Sequence, residues 1–335
     1  APLFSRPVHA PLKADLALTY GCNNACPHCY NVPGRKRGQD IPVDRWLEVL
    51  RKLARIGVPH VIFTGGEPTL FDGLERLVRM ASQLGLVVGM NTNGRRLAHA
   101  SLAADLQRAG LAHVQVTLES HRAELHNSMT GAEAFAETIT GIDRCLAAGL
   151  YTVTNTTLTP RNAKDAVDTL AFLHGRGVRC CAFNTMIHAG LGQAHADTLS
   201  TAELAPLLMA LRDRAADLGV RMLWYTPTRY CELSPLELEL GARRCNAAEY
   251  SICIEPDGDV LPCQSYYCAA GNLLRDPWND IWHGPLFRSL RDRVEHPVAC
   301  GLPESCHECP DLSVCGGGCL LERDRGIHHE FPVFA

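Results

Sequence analysis

Short β-rich runs at Lys13 to Thr19, His60 to Thr64, Leu86 to Asn91, His113 to Leu118, Tyr151 to Leu158 and Arg179 to Met186 recur at intervals of roughly 30 residues, with amphipathic stretches between them. Such alternation leaves few folds open, because adjacent parallel strands need a helical crossover to connect them. Helices are predicted over Pro42 to Ile56, Phe71 to Leu84, Leu97 to Ala109, Ala132 to Ala148, Ala163 to His174 and Thr201 to Leu218. In the first, Asp44 is the expected N-cap, Trp46, Leu50, Leu53 and Ala54 form one apolar stripe, and Gly57 stops the helix. An apolar strand after every helix favours a partial barrel over an open sheet. In a barrel the chemistry collects at the C-terminal ends of the strands.

Composition agrees with a folded enzyme-sized chain. Of 335 residues, 46% are hydrophobic and 20% charged, enough to bury a full core and too regular for disorder. Thirty-two Lys and Arg against 36 Asp and Glu give a net charge of -4, which argues against a nucleic-acid backbone as partner. Apolar runs such as Leu84 to Met90 and Cys145 to Val153 are broken by Gly far short of the ~20 residues that span a bilayer. No membrane partner is expected, and the absence of a signal-like start predicts a cytoplasmic protein.

The cysteines divide the chain into two chemically different parts. Six lie among the first 230 residues, at 22, 26, 29, 145, 180 and 181; ten crowd between Cys231 and Cys319. Cys180 and Cys181 point to opposite faces of one strand and Cys145 sits within a helix, so all three read as core.

Cys22, Cys26 and Cys29 follow the first strand. Three thiolates on one short loop can hold three corners of a cubane iron-sulfur cluster and leave one iron open. A zinc site completed by His28 and plain buried cysteines are the alternatives. The second strand runs into Gly65-Gly66-Glu67-Pro68, where two glycines permit close backbone approach and proline fixes the next turn.

Cys22-x3-Cys26-x2-Cys29 followed by aromatic Tyr30, with Gly65-Gly66-Glu67-Pro68 on the next strand, resembles the radical S-adenosylmethionine (radical SAM) superfamily. The resemblance implies an α/β fold, a partial (β/α)6 TIM-like barrel over residues 12–225. It also implies a 4Fe-4S cluster held by Cys22, Cys26 and Cys29, whose open iron binds the methionine end of SAM. Gly65, Gly66, Glu67 and Pro68 are then expected along the SAM amino group. Asn93, Thr117, Glu119, Asn155 and Tyr30 are further expected cofactor contacts, and the Gly190-Leu191-Gly192 turn is expected near the cofactor or substrate. Gly66→Val is expected to damage cofactor use more than folding.

From Cys231 the periodicity gives way to Cys, Gly, Pro and short strands. Ser251 to Glu255 and Val260 to Gln264 read as a hairpin around Asp257-Gly258. Cys306, Cys309, Cys315 and Cys319 follow the spacing C-x2-C-x5-C-x3-C, and Gly316 to Gly318 lets the backbone wrap a metal. Zinc is the rival occupant of that run. With twelve residues between Cys245 and Gly258 and four between Gly258 and Cys263, the region resembles the SPASM extension of peptide-modifying radical SAM enzymes. The resemblance implies a small cysteine-rich iron-sulfur domain over residues 231–320, followed by a tail, 321–335. One or two auxiliary 4Fe-4S clusters are expected. Cys245, Cys263 and Cys319, with Cys253 as fourth ligand, would hold the first; Cys306, Cys309 and Cys315 would hold the second. The final cysteine expected beyond Cys319 is missing from the sequence; Cys300 is the chosen substitute, and Cys268, Asp324, His328 or an open iron are the others.

The function implied is reductive cleavage of SAM to methionine and a 5′-deoxyadenosyl radical, which abstracts a substrate hydrogen. No protein side chain is assigned as catalytic. An oxidative modification of a peptide is expected: a cross-link, a dehydrogenation or a decarboxylation. A sugar or other small biosynthetic intermediate is the second expectation, and a noncatalytic, zinc-stabilised binding protein the third. Sulfatase maturation is disfavoured because Gln264 stands where those relatives carry an acidic base. The electron donor would be a ferredoxin or flavodoxin. Only 21 residues precede Cys22, so a separate leader-peptide recognition protein is expected. Arg95, Arg122 and Arg161 are candidate anion contacts at the barrel mouth.

Overall fold

A computed structural model describes residues 9–31, 40–99, 101–194 and 198–323. Asp324, His328 and the rest of the tail from 324 onward lie outside the described residues.

Seven parallel strands run in sequence order across one sheet: β1 (Lys13–Ala17), β2 (His60–Thr64), β3 (Val87–Thr92), β4 (His113–Thr117), β5 (Tyr151–Leu158), β6 (Cys180–Thr185) and β7 (Arg221–Trp224). The helices between them are α1 (Val43–Ile56), α2 (Leu74–Gln83), α3 (Leu102–Ala109), α4 (Ala123–Thr130), α5 (Phe135–Ala147), α6 (Ala166–Gly175) and α7 (Thr201–Leu218). This is the expected α/β barrel architecture. Side chains alternate along each strand. On β1, Ala14 and Leu16 join Trp46, Leu50 and Leu53 of α1 in the main core, whereas Ala17 faces the other side with Cys253 and Leu261. Leu50 and Leu53 are fully buried, and each such side chain contributes about 1.5–3 kcal/mol.

Helix α1 ends as its sequence predicts. Gly57 takes φ 91° and its N–H reaches the carbonyls of Ala54 and Leu53. Its start differs: Pro42 is the N-cap, with no side-chain cap, and Asp44 lies in the first turn, where its charge meets the positive helix end. Two elements were not anticipated. Helix α4 covers a stretch whose polar residues give little amphipathic contrast, yet it buries His126, Met129 and Thr130. Strand β7 is four residues long and carries its partly buried side chains beyond β6.

The cysteine-rich region extends the same sheet. β8 (Ser251–Ile254) and β9 (Asp259–Leu261) form the expected hairpin, with Gly258 at φ 89° in its turn. β8 then pairs in parallel with β1, Cys253 opposite Asp15, and β10 (Gly271–Asn272) closes the far edge against β9. Ile252 and Ile254 are fully buried in the main core. Cys145 and Cys181 lie in that core and Cys180 in a smaller cluster on the other face, as alternation requires. No helix among the described residues is long and apolar enough to cross a membrane.

Candidate functional site

The loop after β1 is fastened by backbone contacts from three directions. Ala25 N–H donates to Thr130 O at the end of α4, and Leu191 N–H donates to Cys29 O, both at 2.9 Å. Gly190, at φ 57°, lies so close to Tyr30 O that a Cβ there would stand 2.1 Å from it. The Gly190 to Gly192 turn therefore grips the cysteine loop. Arg95 clamps the same loop through Asn23 O and Asn24 Oδ1 while pairing with Glu137. Arg122 pairs with Asp165 and Arg161 donates to Ser128 Oγ, so all three arginines are engaged within the chain.

Burial raises the thiol pKa of Cys22, Cys26 and Cys29. Negative neighbours add to this: Glu119, Cys29 and Cys22 at Cys26, and Glu67 and Cys29 at Cys22. Three crowded, desolvated thiols favour a centre that takes up their negative charge as their protons leave. Among the described residues, no three His, Cys, Asp or Glu side chains are set to hold a single metal ion. A cubane makes a different demand, since each thiolate meets its own iron and the sulfurs stay apart. The donor set fits the cluster.

Beside the loop, Gly65 has φ 130°, and a Cβ on Gly66 would lie 2.1 Å from Gly21 O. Gly66 and Glu67 donate their N–H groups to Thr19 O and Gly21 O at 2.7 and 2.8 Å, tying the turn to the root of the cysteine loop. The buried Glu67 carboxylate accepts from Thr69 N and Oγ1, Thr92 Oγ1 and Asn93 N. Desolvation still raises its pKa above the usual carboxylate range. Glu67 is thus a buckle between the turn and β3; Pro68 is buried at the start of the following helical turn. Asn93 Nδ2 donates to Asn23 Oδ1 at 2.7 Å and comes within 3.9 Å of Cys22 Sγ, which brings it to the cysteine loop.

Glu119, at the end of β4, accepts from Thr157 N at 2.8 Å and pairs with His28 Nε2 at 3.2 Å. His28 is therefore engaged by Glu119 through Nε2. Thr117 stands opposite Asn155 in the β4–β5 ladder. Asn155 Nδ2 donates to Asn184 Oδ1, while its buried Oδ1 has no hydrogen-bond partner among the described residues. Tyr30 donates to Gln264 Oε1 at 3.4 Å and its carbonyl accepts from the Tyr267 hydroxyl, linking the cysteine loop to the residue after Cys263.

Behind Glu119, His126 is 1% exposed, and its Nδ1 accepts from Glu119 N. Burial lowers its pKa from 6.5 to about 4 despite the opposing charge of Glu119. The unfolded chain binds this proton first, so the contribution is complete above pH 6.5 and is lost as pH falls toward 4. The loss approaches about 1.4 kcal/mol per pH unit. His126→Gln should flatten the decline of Tm across that window; an unchanged pH profile of melting would assign the acid sensitivity elsewhere.

In the cysteine-rich region, Cys245, Cys263 and Cys319 come together. Burial and then the charge of Cys245 push Cys263 and Cys319 up to about 12. Cys253 lies in the cluster with Ala17 and Leu261, its Sγ 3.9 Å from Glu255 Oε1. Cys306 has Cys315, Cys231 and Cys309 as thiol neighbours, whereas the charged groups acting on Cys300 are Asp292 and Arg293. Gly316, Gly317 and Gly318 all have positive φ, between 66° and 78°, and Cβ atoms there would strike Arg244, Leu302 and Arg229. Arg293, 6% exposed, donates to Gly316 O and Cys245 O and so bridges the backbones of the two thiol groups. Sequence reasoning missed this arginine, since no spacing marks it. A cavity of about 250 Å³ joins Leu158, Thr185 and Met186 at the strand ends to Thr226, Pro227 and Cys319.

A strand-end loop of three thiols beside a glycine turn, with a second cysteine-rich centre in the C-terminal region, defines an iron-sulfur barrel enzyme. The family model for the radical SAM superfamily matches residues 16–173, and that for an iron-sulfur cluster-binding domain (SPASM) matches 245–310. PqqA peptide cyclase of Xanthomonas campestris pv. campestris is 30% identical over 94% of this chain and 83% of its own. Mycofactocin maturase MftC of Mycobacterium ulcerans is 29% identical over 96% and 86%. Streptococcus suis SuiB bound to its precursor peptide SuiA shares the fold at a TM-score of 0.76 and 18% identity, over 94% of this chain and 73% of that one. This chain belongs to the radical SAM superfamily, and its C-terminal region is of the SPASM type.

Proposed function

We propose that the protein is a peptide maturase that cleaves SAM reductively and uses the resulting radical to modify a peptide oxidatively. The observation that carries this reading is the convergence of Cys22, Cys26 and Cys29 on a loop locked to the Gly65 to Pro68 turn, in a chain with a second set of clustered thiols. When bound and reduced, the cluster held by these three cysteines supplies the electron that breaks the bond between sulfur and the ribose 5′ carbon. The chain's own residues then orient and enclose. Gly65 to Glu67 would present a backbone edge to the methionine end of SAM, and Asn93, Thr117, Glu119 and Asn155 line the neighbouring strand ends. The cavity between Met186 and Cys319 offers room for a peptide side chain beside the C-terminal cysteine set.

A peptide substrate is supported by the names of the relatives, a maturase and a peptide cyclase, and by a structural neighbour solved with its precursor peptide. A sugar substrate and a noncatalytic zinc protein are not favoured by these relatives. Cys245, Cys263 and Cys319 are proposed to hold one auxiliary 4Fe-4S cluster, with Cys253, which lies between Cys245 and Cys263 in sequence, to complete it, and Cys306, Cys309 and Cys315 to belong to another. A ferredoxin or flavodoxin would donate the electron, and a separate leader-peptide recognition protein would present the substrate.

Protein reconstituted anaerobically with iron and sulfide should be brown and should convert SAM to 5′-deoxyadenosine with dithionite. Adding a precursor peptide should then give a product lighter by hydrogens or carbon dioxide in the mass spectrum. A colourless protein that leaves SAM intact would overturn the reading.

A further inference from the structure

The cysteine-rich region presents three thiols from one short run, Cys306, Cys309 and Cys315, and a cubane has four irons to ligate. We propose that Cys231, from the turn after β7, is the fourth ligand of this second auxiliary cluster, an inference that rests on the maturase reading above. Cys231 enters from 75 residues upstream of Cys306 and 14 upstream of Cys245, outside the run whose spacing suggested a metal site.

The turn that carries Cys231 is built against that run. Tyr230 N–H donates to Cys315 Sγ at 3.4 Å, and Cys315 Sγ lies 3.8 Å from Thr228 O. Cys319 N–H donates to Pro227 O at 3.1 Å. Gly318 has φ 75°, and a Cβ on it would meet Arg229 Cγ at 2.9 Å and Arg229 N at 3.2 Å, so the two segments touch through their backbones. The turn is closed on itself: Glu232 N and Leu233 N both donate to Arg229 O at 2.9 Å, and Thr228 Oγ1 donates to Leu233 O at 2.7 Å. Cys231 is thus held at a fixed tip, one residue after the backbone N–H that reaches Cys315 Sγ. The backbones of Cys300 and Cys268 instead turn back on their own segments, their N–H groups donating to His296 O and Tyr266 O. On ligation each thiol releases its proton to solvent and the thiolate sulfur donates to iron, so the step needs no redox partner.

The test uses full-length protein carrying Cys22→Ala, Cys26→Ala and Cys29→Ala, so that only C-terminal iron remains. Iron content and the spectrum of the reduced protein are compared among this parent, Cys231→Ala, Cys300→Ala and Cys306→Ala. Cys231→Ala should behave as Cys306→Ala does, losing about four irons or acquiring a changed cluster spectrum, while Cys300→Ala matches the parent. Cys231 is exposed, so its thiol should alkylate readily when free. In the loaded parent, iodoacetamide should spare Cys231 and label it only after the iron is chelated, a readout that needs no variant to fold. A Cys231→Ala protein identical to the parent, or labelling of Cys231 in loaded protein, overturns the assignment while Cys306→Ala still reports the cluster. A parent without iron overturns the auxiliary-cluster reading and this assignment with it.

Discussion

Replacing Cys22, Cys26 and Cys29 together with Ala should reduce 5′-deoxyadenosine formation to background, a loss of the full activity. About four irons should leave and the remainder stay, because the other thiol groups depend on separate segments after β7. The loop itself should keep its path. Its backbone is held by Thr130, Leu191 and Gly66 through main-chain hydrogen bonds, and none of these uses a cysteine side chain. Chromatographic assay of SAM cleavage and iron analysis on the same preparation check both halves. Retained 5′-deoxyadenosine would remove these residues from the chemistry.

The second large effect is expected at Gly66→Val, for a reason that differs from the one its sequence suggests. The expectation was a side chain intruding on the cofactor. In the structure the first atom of that side chain meets Gly21 O at 2.1 Å and Tyr20 O at 2.7 Å, both in the chain's own backbone. The turn must withdraw, and with it go the bonds from Gly66 N to Thr19 O and from Glu67 N to Gly21 O. Overpacking of this kind costs about 1–3 kcal/mol. Stability and SAM cleavage should therefore fall together, the latter by at least tenfold once the cysteine loop loses its footing. Thermal melting and the cleavage assay on one preparation decide it. An unchanged Tm with only the affinity for SAM reduced would restore the original expectation.

Six strands of the barrel were legible because each combines an apolar run with a turn signal and is followed by a helix of clear period. β7 was not, being four residues long. α4 was hidden by residues such as the buried His126 and the half-buried Asn127, which accept from Glu119 N and from Ala134 N and Phe135 N, contacts that hydrophobic period does not record. The first helix start went to Asp44 because a carboxylate is a good cap, but the chain turns at Pro42 instead. Among the candidate site residues, the cysteines after β1 and the glycine turn were readable from local spacing. Arg95 was read as an anion contact, whereas it clamps the cysteine loop, and Arg293 carried no signal, since each reaches its place through contacts far away in sequence. Glu67 shows the opposite case: its position was legible, but its role as an acceptor for four donors emerges only when Thr92 and Asn93 are brought beside it.

The pairing of β8 with β1 has a consequence for electron traffic. The end of β1 leads into Cys22, and the edge of the same strand carries the hairpin that leads to Cys263. At about 3.3 Å of rise per residue, a paired strand is a ruler with fixed gradations. With clusters on both cysteine sets, the ladder register of β1 with β8 would fix part of the distance between them. Tunnelling rates fall steeply with distance, so a rigid ladder along that route would steady the exchange. Any opening that admits a substrate would then come from the loops and helices around the strand ends and not from the ladder.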